Sequence, residues 1–272
     1  MKLAKYWARG PAPFHCRGWS DESEAGARKK AEEIGRIVSQ RIDSGRPREG
    51  YLYGDRPLPE PVLERLPGGL ITRNAYGAAV LNCEWLLFLD VDREEATATP
   101  AALDLLSGLR SLFGKPAPAP SRQSPVEASM EAVASRHGLS LRIYRTAAGY
   151  RGVVTNLRFH AASEETRKIL HEFACDPLYV RLCRAQESFR ARLTPKPWRC
   201  GLEPPPASYP YADDQAEAGF RAWLRDYQDN SRANAVCRFV RSVGAAAMDA
   251  ETARLIERHD HETKAHSQLP LA

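Results

Sequence analysis

The sequence lacks the features that place a chain in a membrane or in an oxidising compartment. It has no run of about 18 apolar residues, so we expect no membrane-spanning helix and no membrane partner. The first residues contain no apolar core of the kind that a signal peptide needs. The six cysteines are scattered without a C-x-x-C pair, which is typical of reduced thiols. We therefore expect a cytoplasmic protein.

Three common catalytic motifs are also missing. The patterns G-x-x-x-x-G-K-[ST], G-x-S-x-G and H-E-x-x-H do not occur, so no motif supports a P-loop NTPase, an α/β-hydrolase or a zincin. What is present is ordinary for a globular protein: 272 residues, 43% of them hydrophobic and 27% charged. This length predicts one large domain or two small ones in close contact.

Helical and strand-like patterns are mixed along the chain, with several hairpin signals between them. This mixture predicts an α+β fold in which a mixed or antiparallel sheet is flanked by helices. We interpret residues 1–114 as an N-terminal α/β unit, 126–212 as a basic unit that packs on it, and 213–262 as C-terminal helices. Residues 115–125 contain a proline at every second position from 116 to 120 and are interpreted as a linker.

Four local patterns predict structure near the candidate functional residues. Trp85–Leu89 is continuously apolar, which predicts a central strand buried on both faces, with a hairpin joining it to the preceding strand. The turn Thr146–Gly149 predicts a hairpin between two apolar runs. We expect Pro177–Arg181 to form a strand and the tail after Lys264 to be disordered. His259, near that tail, belongs to a histidine-rich group whose simplest interpretation is not a metal site.

The sharpest candidate for chemistry is Asp90-Val91-Asp92, at the end of the apolar strand. Residues i and i+2 of a strand share a face, so the two carboxylates point the same way. Two carboxylates at this short distance repel each other, and a divalent cation between them relieves that repulsion. Mg²⁺ and Mn²⁺ prefer such oxygen ligands. The plain alternative is a strand end whose carboxylates contact only water.

The hairpin around Thr146–Gly149 is the second candidate. Arg145 and Arg151 flank its turn, and a guanidinium can bind two phosphate oxygens at once. We therefore expect both arginines to face one pocket together with Asp90 and Asp92. The alternative is an ordinary hairpin with surface arginines.

The third candidate is a basic stretch with interleaved aromatic residues. Leu141–Cys200 holds 12 Lys and Arg against 5 Asp and Glu, whereas the net charge of the whole chain is +5. Such a segment suits phosphate contacts combined with base stacking, although a salt-bridged surface is the alternative. The candidate phosphate ligands are Arg190, Arg192, Lys196 and Arg199, and the candidate stacking residues are Phe189 and Trp198.

An apolar strand that ends in D-x-D, followed by a strand–Gly-turn–strand, resembles the archaeo-eukaryotic-type primases and primase-polymerases. The resemblance covers Trp85 to Val180 and implies an RRM-like core. In that superfamily the D-x-D carboxylates bind metal ions, and a third acidic residue on another strand completes the site. The resemblance assigns these roles to Asp90, Asp92 and Asp176. The family's hairpin commonly ends in a histidine, and Arg151 stands at that position here.

The resemblance implies a nucleotidyltransferase that uses Mg²⁺ or Mn²⁺ and acts on a nucleotide or on single-stranded nucleic acid. Asp90 and Asp92 would be its catalytic metal ligands, and Arg145 and Arg151 would bind the triphosphate. The sequence leaves two alternatives open. One is a non-catalytic nucleic-acid-binding or interaction protein with a degenerate site, and the other is a metal-dependent phosphohydrolase.

Overall fold

The computed structural model describes residues 1–44, 56–92 and 124–272, and within them the fold is α+β with antiparallel sheets. The strands are β1 (Tyr6–Arg9), β2 (Arg17–Ser20), β3 (Val62–Leu66), β4 (Gly69–Arg73), β5 (Ala79–Cys83), β6 (Phe88–Asp92), β7 (Leu141–Thr146), β8 (Gly149–Val154), β9 (Phe189–Arg192) and β10 (Cys237–Val243). The helices are α1 (Glu24–Asp43), α2 (Pro125–Arg136), α3 (Glu164–Glu172), α4 (Pro177–Gln186), α5 (Asp214–Ser231) and α6 (Ala250–Thr263), and Pro197–Arg199 forms a 3₁₀ turn.

The first four-stranded sheet carries the D-x-D strand and the basic hairpin. Its strand order is β10-β7-β8-β6, and β7 and β8 form the predicted hairpin. The expected central strand, β6, lies instead at the edge of this order. Its apolar residues Phe88, Leu89 and Val91 are nevertheless buried, and the start of α4 covers its free side. There Asp176 N–H donates to Asp90 O at 2.9 Å, and the Tyr179 hydroxyl donates to Phe88 O at 3.0 Å.

The second four-stranded sheet has the order β3-β4-β5-β9. β4 and β5 form an antiparallel hairpin, in whose register Ile71 pairs with Leu81. The prediction that β5 continues into a hairpin with β6 is wrong, since these two strands belong to different sheets. Fully buried residues of both sheets, such as Leu81, Ile143 and Phe189, form one hydrophobic core.

Capping residues explain where several helices begin. Ser124 and Ser163 accept a backbone hydrogen bond at the N-termini of α2 and α3, where serine is a favoured residue. The strand expected at Pro177–Arg181 is wrong, because these residues begin α4. Asp176 is its N-cap, and a proline at the first helical position is pre-organised for a helix.

The C-terminal part is not purely helical. β10 pairs with β7 and extends the first sheet. The disorder expected after Lys264 is also wrong, since Ala265 is fully buried and the Ala272 amide donates to Ala235 O at 2.9 Å. Residues 115–123 of the predicted linker lie outside the described residues. Among those described, no helix combines the length and the apolar character that a membrane span requires.

Candidate phosphate-binding cleft

A cleft of about 1040 Å³ is lined by strands of both four-stranded sheets and by α4. Its described lining contains three acidic residues, Glu60, Asp90 and Asp92. The cationic lining residues are more numerous: Arg17, Arg56, Arg151, Arg181, Arg190, Arg192, Lys196 and Arg199. The cleft is therefore a positively charged cavity that contains one pair of neighbouring carboxylates.

Asp90 and Asp92 both lie in this cleft, on the same exposed face of β6, while Val91 between them is buried. Partial burial raises the pKa of Asp92, and the negative charges of Asp90 and Asp176 raise it further. Lys196 and Arg199 act in the opposite direction. The strand end thus concentrates negative charge within a basic surrounding, which is an arrangement that a divalent cation would stabilise.

The hairpin contributes one of its two candidate phosphate ligands to the cleft. Arg151 is directly opposite Asp90 across β8 and β6, so their side chains share a face. Arg145 is paired with Tyr150 instead, whereas Arg151 is paired with Tyr144. Because neighbouring residues of a strand alternate between faces, Arg145 points to the opposite side of the sheet, where it is exposed. The expectation that both arginines face one pocket is therefore wrong for Arg145.

Strand β9 supplies two arginines in different electrostatic states. Arg190 Nη2 lies 2.7 Å from both carboxylate oxygens of Glu60, and its Nη1 donates to Gln186 at 3.0 Å. Its charge is therefore balanced within the protein. Arg192 makes no side-chain hydrogen bond or ion pair among the described residues, and its buried Nε has no partner there. Burial and, to a smaller extent, the nearby Arg151 cation lower the pKa of Arg192 to about 10.

The segment after β9 brings Lys196 and Arg199 to the cleft. Tyr227 of α5 holds this segment, since its hydroxyl lies 2.8 Å from Thr194 Oγ1 and 2.6 Å from Pro195 O. Burial lowers the pKa of Lys196, and the positive charges of Arg192 and Arg199 add to that effect. The cations are thus held close together by the fold.

The two predicted stacking residues have different positions. Phe189 is completely buried in the core, so the prediction that it stacks on a base is wrong. Trp198 is 47% exposed, and its ring meets that of Tyr76 edge to face at 5.2 Å. Tyr76 lines the cleft and is also exposed. Trp198 and Tyr76 therefore form an aromatic pair beside the cleft, of which sequence patterns indicated only the tryptophan.

Asp176 lies near the carboxylate pair, but it also serves as the N-cap of α4. Its Oδ1 accepts a hydrogen bond from Leu178 N–H at 2.8 Å, which caps α4. In the described residues, no group of three His, Cys, Asp or Glu side chains is arranged to hold a metal ion. A cation bound at Asp90 and Asp92 would have to take its remaining ligands from water or from a bound phosphate.

Sequence patterns also missed residues that complete the cleft. Glu60 follows a loop rich in prolines, and nothing in its spacing indicates that it neutralises Arg190. Arg181 lines the cleft from the exposed side of α4, which helical periodicity would have indicated had the segment been recognised as a helix. Comparisons of the chain with family models, with curated proteins and with solved structures found no match. Any proposal for the function therefore rests on the geometry of the cleft.

Proposed function

We propose that the cleft binds the phosphates of a nucleotide or of single-stranded nucleic acid, as part of a primase-polymerase-like nucleotidyltransferase. Arg192 is the observation that carries this proposal. A partly buried guanidinium without a partner is costly, and an anionic ligand removes that cost. Arg151, Lys196 and Arg199 surround the same space, so a ligand with several negative charges fits better than one with a single charge.

The carboxylate pair suits a divalent cation that accompanies such a ligand. Mg²⁺ and Mn²⁺ are commonly held by one or two carboxylates together with substrate phosphates, and Asp90 and Asp92 supply two. A bound cation would neutralise charge on the transferring phosphate and lower the repulsion between the carboxylates. The contribution of the protein is to hold the phosphates, through Arg151 and Arg192, beside these carboxylates.

The arrangement of the two motifs supports the resemblance to primase-polymerases. The D-x-D strand and the basic hairpin are neighbours in one four-stranded antiparallel sheet, and both reach the same cleft. An RRM-like core of this kind is part of the proposal. Thr146 and Ala148 of the hairpin turn also line the cleft, which supports a contact between the turn and the nucleotide.

Two observations favour a second candidate, a protein that binds nucleotides or nucleic acid without catalysis. Asp176 is engaged in capping α4, and the described residues offer no third metal ligand. In addition, Arg151 stands at the position of the family's histidine. Both differences from the family pattern leave the cations that could bind phosphate in place. They remove groups that the family uses for catalysis.

Calorimetric titration with ATP in Mn²⁺ tests the proposed binding. We expect Arg192→Ala to weaken ATP binding by about tenfold or more, because a hydrogen bond to a charged group contributes about 1.5–3 kcal/mol. We expect Asp90→Asn combined with Asp92→Asn to remove the effect of Mn²⁺ on affinity. Arg225→Ala, an exposed change on α5, is the matched control and should bind as the wild type does.

The same variants separate the two candidates. Extension of a labelled primer that disappears in the Asp90 and Asp92 variant would support nucleotidyl transfer. Binding of ATP without any extension would support the non-catalytic candidate. If the wild type does not bind ATP, or binds it no better than Arg192→Ala does, the cleft is not a phosphate site.

A further inference from the structure

His259 of α6 is completely buried directly behind the cleft. Its ring packs on that of Tyr144 at a centroid distance of 5.0 Å and on that of Phe88 at 5.8 Å. Both ring nitrogens have polar partners: Nδ1 lies 2.9 Å from Asp260 Oδ1, and Nε2 lies 3.0 Å from Arg151 Nη1. A buried imidazole with two such contacts has a defined orientation.

These contacts determine the protonation state of the ring. An arginine only donates hydrogen bonds, so His259 Nε2 must accept the bond from Arg151. The proton of the neutral ring is therefore on Nδ1, which donates to the Asp260 carboxylate. Burial lowers the pKa of His259 to about 4, an effect that Arg151 strengthens and Asp260 opposes. The ring is neutral near pH 7 in consequence.

The contact also determines which part of Arg151 faces a ligand. Nη1 donates both to His259 Nε2 and to Arg192 O, each at 3.0 Å. Its two hydrogens are then used, whereas Nε–H and the Nη2 hydrogens have no partner among the residues that the structure describes. Nε–H and one Nη2–H form the edge of the guanidinium that binds two oxygens of one phosphate.

We propose that His259 is a positioning residue that holds Arg151 by its Nη1, so that the remaining edge of the guanidinium is presented to a phosphate beside Asp90. This inference rests on the proposed function, because it assumes that Arg151 contacts the ligand. The histidine itself does not touch the ligand, since its side chain is fully buried.

Several other groups around His259 keep this arrangement in place. Asp260 Oδ2 is 2.6 Å from Arg142 Nη2 and 3.2 Å from His266 Nε2, so the carboxylate that orients the ring is itself fixed. Tyr144 and Arg142 face the ring from β7, and the buried Cys237 lies nearby on β10. Among these groups Asp260 is the acceptor that selects the Nδ1–H tautomer.

Binding of inorganic triphosphate in Mn²⁺ is the first test. His259→Leu removes the acceptor, and we expect about a tenfold loss of affinity, the size of one hydrogen bond to a charged group. His259→Gln offers a carbonyl oxygen to Arg151 and should restore binding to within about threefold of the wild type. His261→Gln, an exposed change on the same helix, is the matched control.

A double-mutant cycle decides whether His259 acts through Arg151. In the Arg151→Ala background, we expect His259→Leu to have no further effect on triphosphate affinity. Additive losses would overturn the proposal, because they would show that the two residues act independently. Failure of His259→Gln to restore binding would also count against it.

Nitrogen NMR of the ligand-free wild type tests the positioning contact separately from the proposed function. We expect an unprotonated Nε2 and a protonated Nδ1 at pH 7, with rotation of the Arg151 guanidinium faster in His259→Leu. A protonated Nε2 would overturn the proposal. If triphosphate does not bind the wild type, the proposed function fails, and these signals still decide whether His259 holds Arg151.

Discussion

Arg190 and Arg192 are two residues apart on β9, yet their charges have different surroundings. Arg190 is neutralised by Glu60, whose side chain is only 8% exposed. Arg192 has no such partner among the described residues, although it lies in the same cleft. Proximity in the sequence therefore does not make two arginines equivalent as ligands, and the two should separate in experiment.

We expect Arg190→Ala to reduce the free energy of unfolding by about 3 kcal/mol, because it leaves a buried carboxylate unpaired. Arg192→Ala should leave stability nearly unchanged or raise it, since it removes an unbalanced charge, but it should weaken ATP binding. Urea denaturation and calorimetry of both variants check this contrast. Equal losses of stability in the two variants would contradict it.

His259 should make stability depend on pH over a defined range. In the unfolded chain its ring binds a proton below about pH 6.5, whereas in the folded protein it does so only below about pH 4. Between these pH values the unfolded chain binds one more proton than the folded protein. The free energy of unfolding therefore decreases as pH falls through this range. The contribution is about 3 kcal/mol at most.

Denaturation measured at several pH values tests this dependence. We expect a flatter profile for His259→Gln than for the wild type between about pH 6.5 and 4. His160→Gln, at an exposed position, should keep the wild-type profile. An unchanged profile in His259→Gln would show that the buried ring does not cause the loss.

At the scale of the elements, the hairpin of β7 and β8 shows how strand register decides which side chains reach the cleft. Its turn contains only Ala147 and Ala148, so Thr146 faces Gly149, and Arg145 and Arg151 occupy successive pairs. Successive pairs point to opposite faces. This consequence could have been derived from the sequence once the hairpin was recognised, because turn length fixes register.

The segment from Asp176 shows where local composition misleads. Tyr179 and Val180 are residue types that favour strands, although the segment is helical. The helix is favoured by the preceding Asp-Pro pair, since aspartate caps a helix and proline suits its first position. The capping signal therefore outweighs the β-propensity of these two residues.

Asp176 allows the capping role to be separated from metal binding. Asp176→Ala should lower the free energy of unfolding by about 1 kcal/mol through loss of the cap, whereas Asp176→Asn should keep most of it. Neither change should alter the increase in melting temperature that we expect from Mn²⁺ at the proposed site of Asp90 and Asp92, which calorimetry can measure. A loss of that increase in Asp176→Asn alone would identify Asp176 as a metal ligand.

For the whole molecule, the uneven charge distribution has a measurable consequence. The described lining of the cleft contains more cations than carboxylates, and Arg192, Lys196 and Arg199 lie close together in it. Binding of an oligo(dT) strand should therefore weaken steeply as the concentration of chloride salt rises, because phosphate contacts release counterions. Lys196→Ala and Arg199→Ala should each reduce the slope of log K against log salt by about 0.7.

Arg145→Ala is the matched control for this measurement, because it removes an equal charge from the opposite face of the sheet. It should leave the salt slope within experimental error of the wild-type value. A similar decrease in all three variants would show that general surface charge, rather than the cleft, binds the strand.

Features of the site that depend on one short segment could be predicted from the sequence, whereas those that depend on contacts between distant segments could not. The carboxylate pair and the hairpin follow from short sequence patterns, and the fold places Asp90 and Arg151 opposite each other. The roles of Glu60 and His259 could not be predicted, because each depends on a contact more than 100 residues away in sequence. Local patterns contain no information about such pairings.

The cleft divides its charges between the two sheets, with the carboxylates on β6 and Arg192 on β9. A ligand that contacts both acts as a non-covalent cross-link, so partial opening between the sheets must first release it. At a ligand concentration one hundred times its Kd, this raises the free energy of opening by about 2.7 kcal/mol. Backbone amides of β6 and β9 should then exchange their hydrogens more slowly, while those of α1, which does not line the cleft, keep their rates.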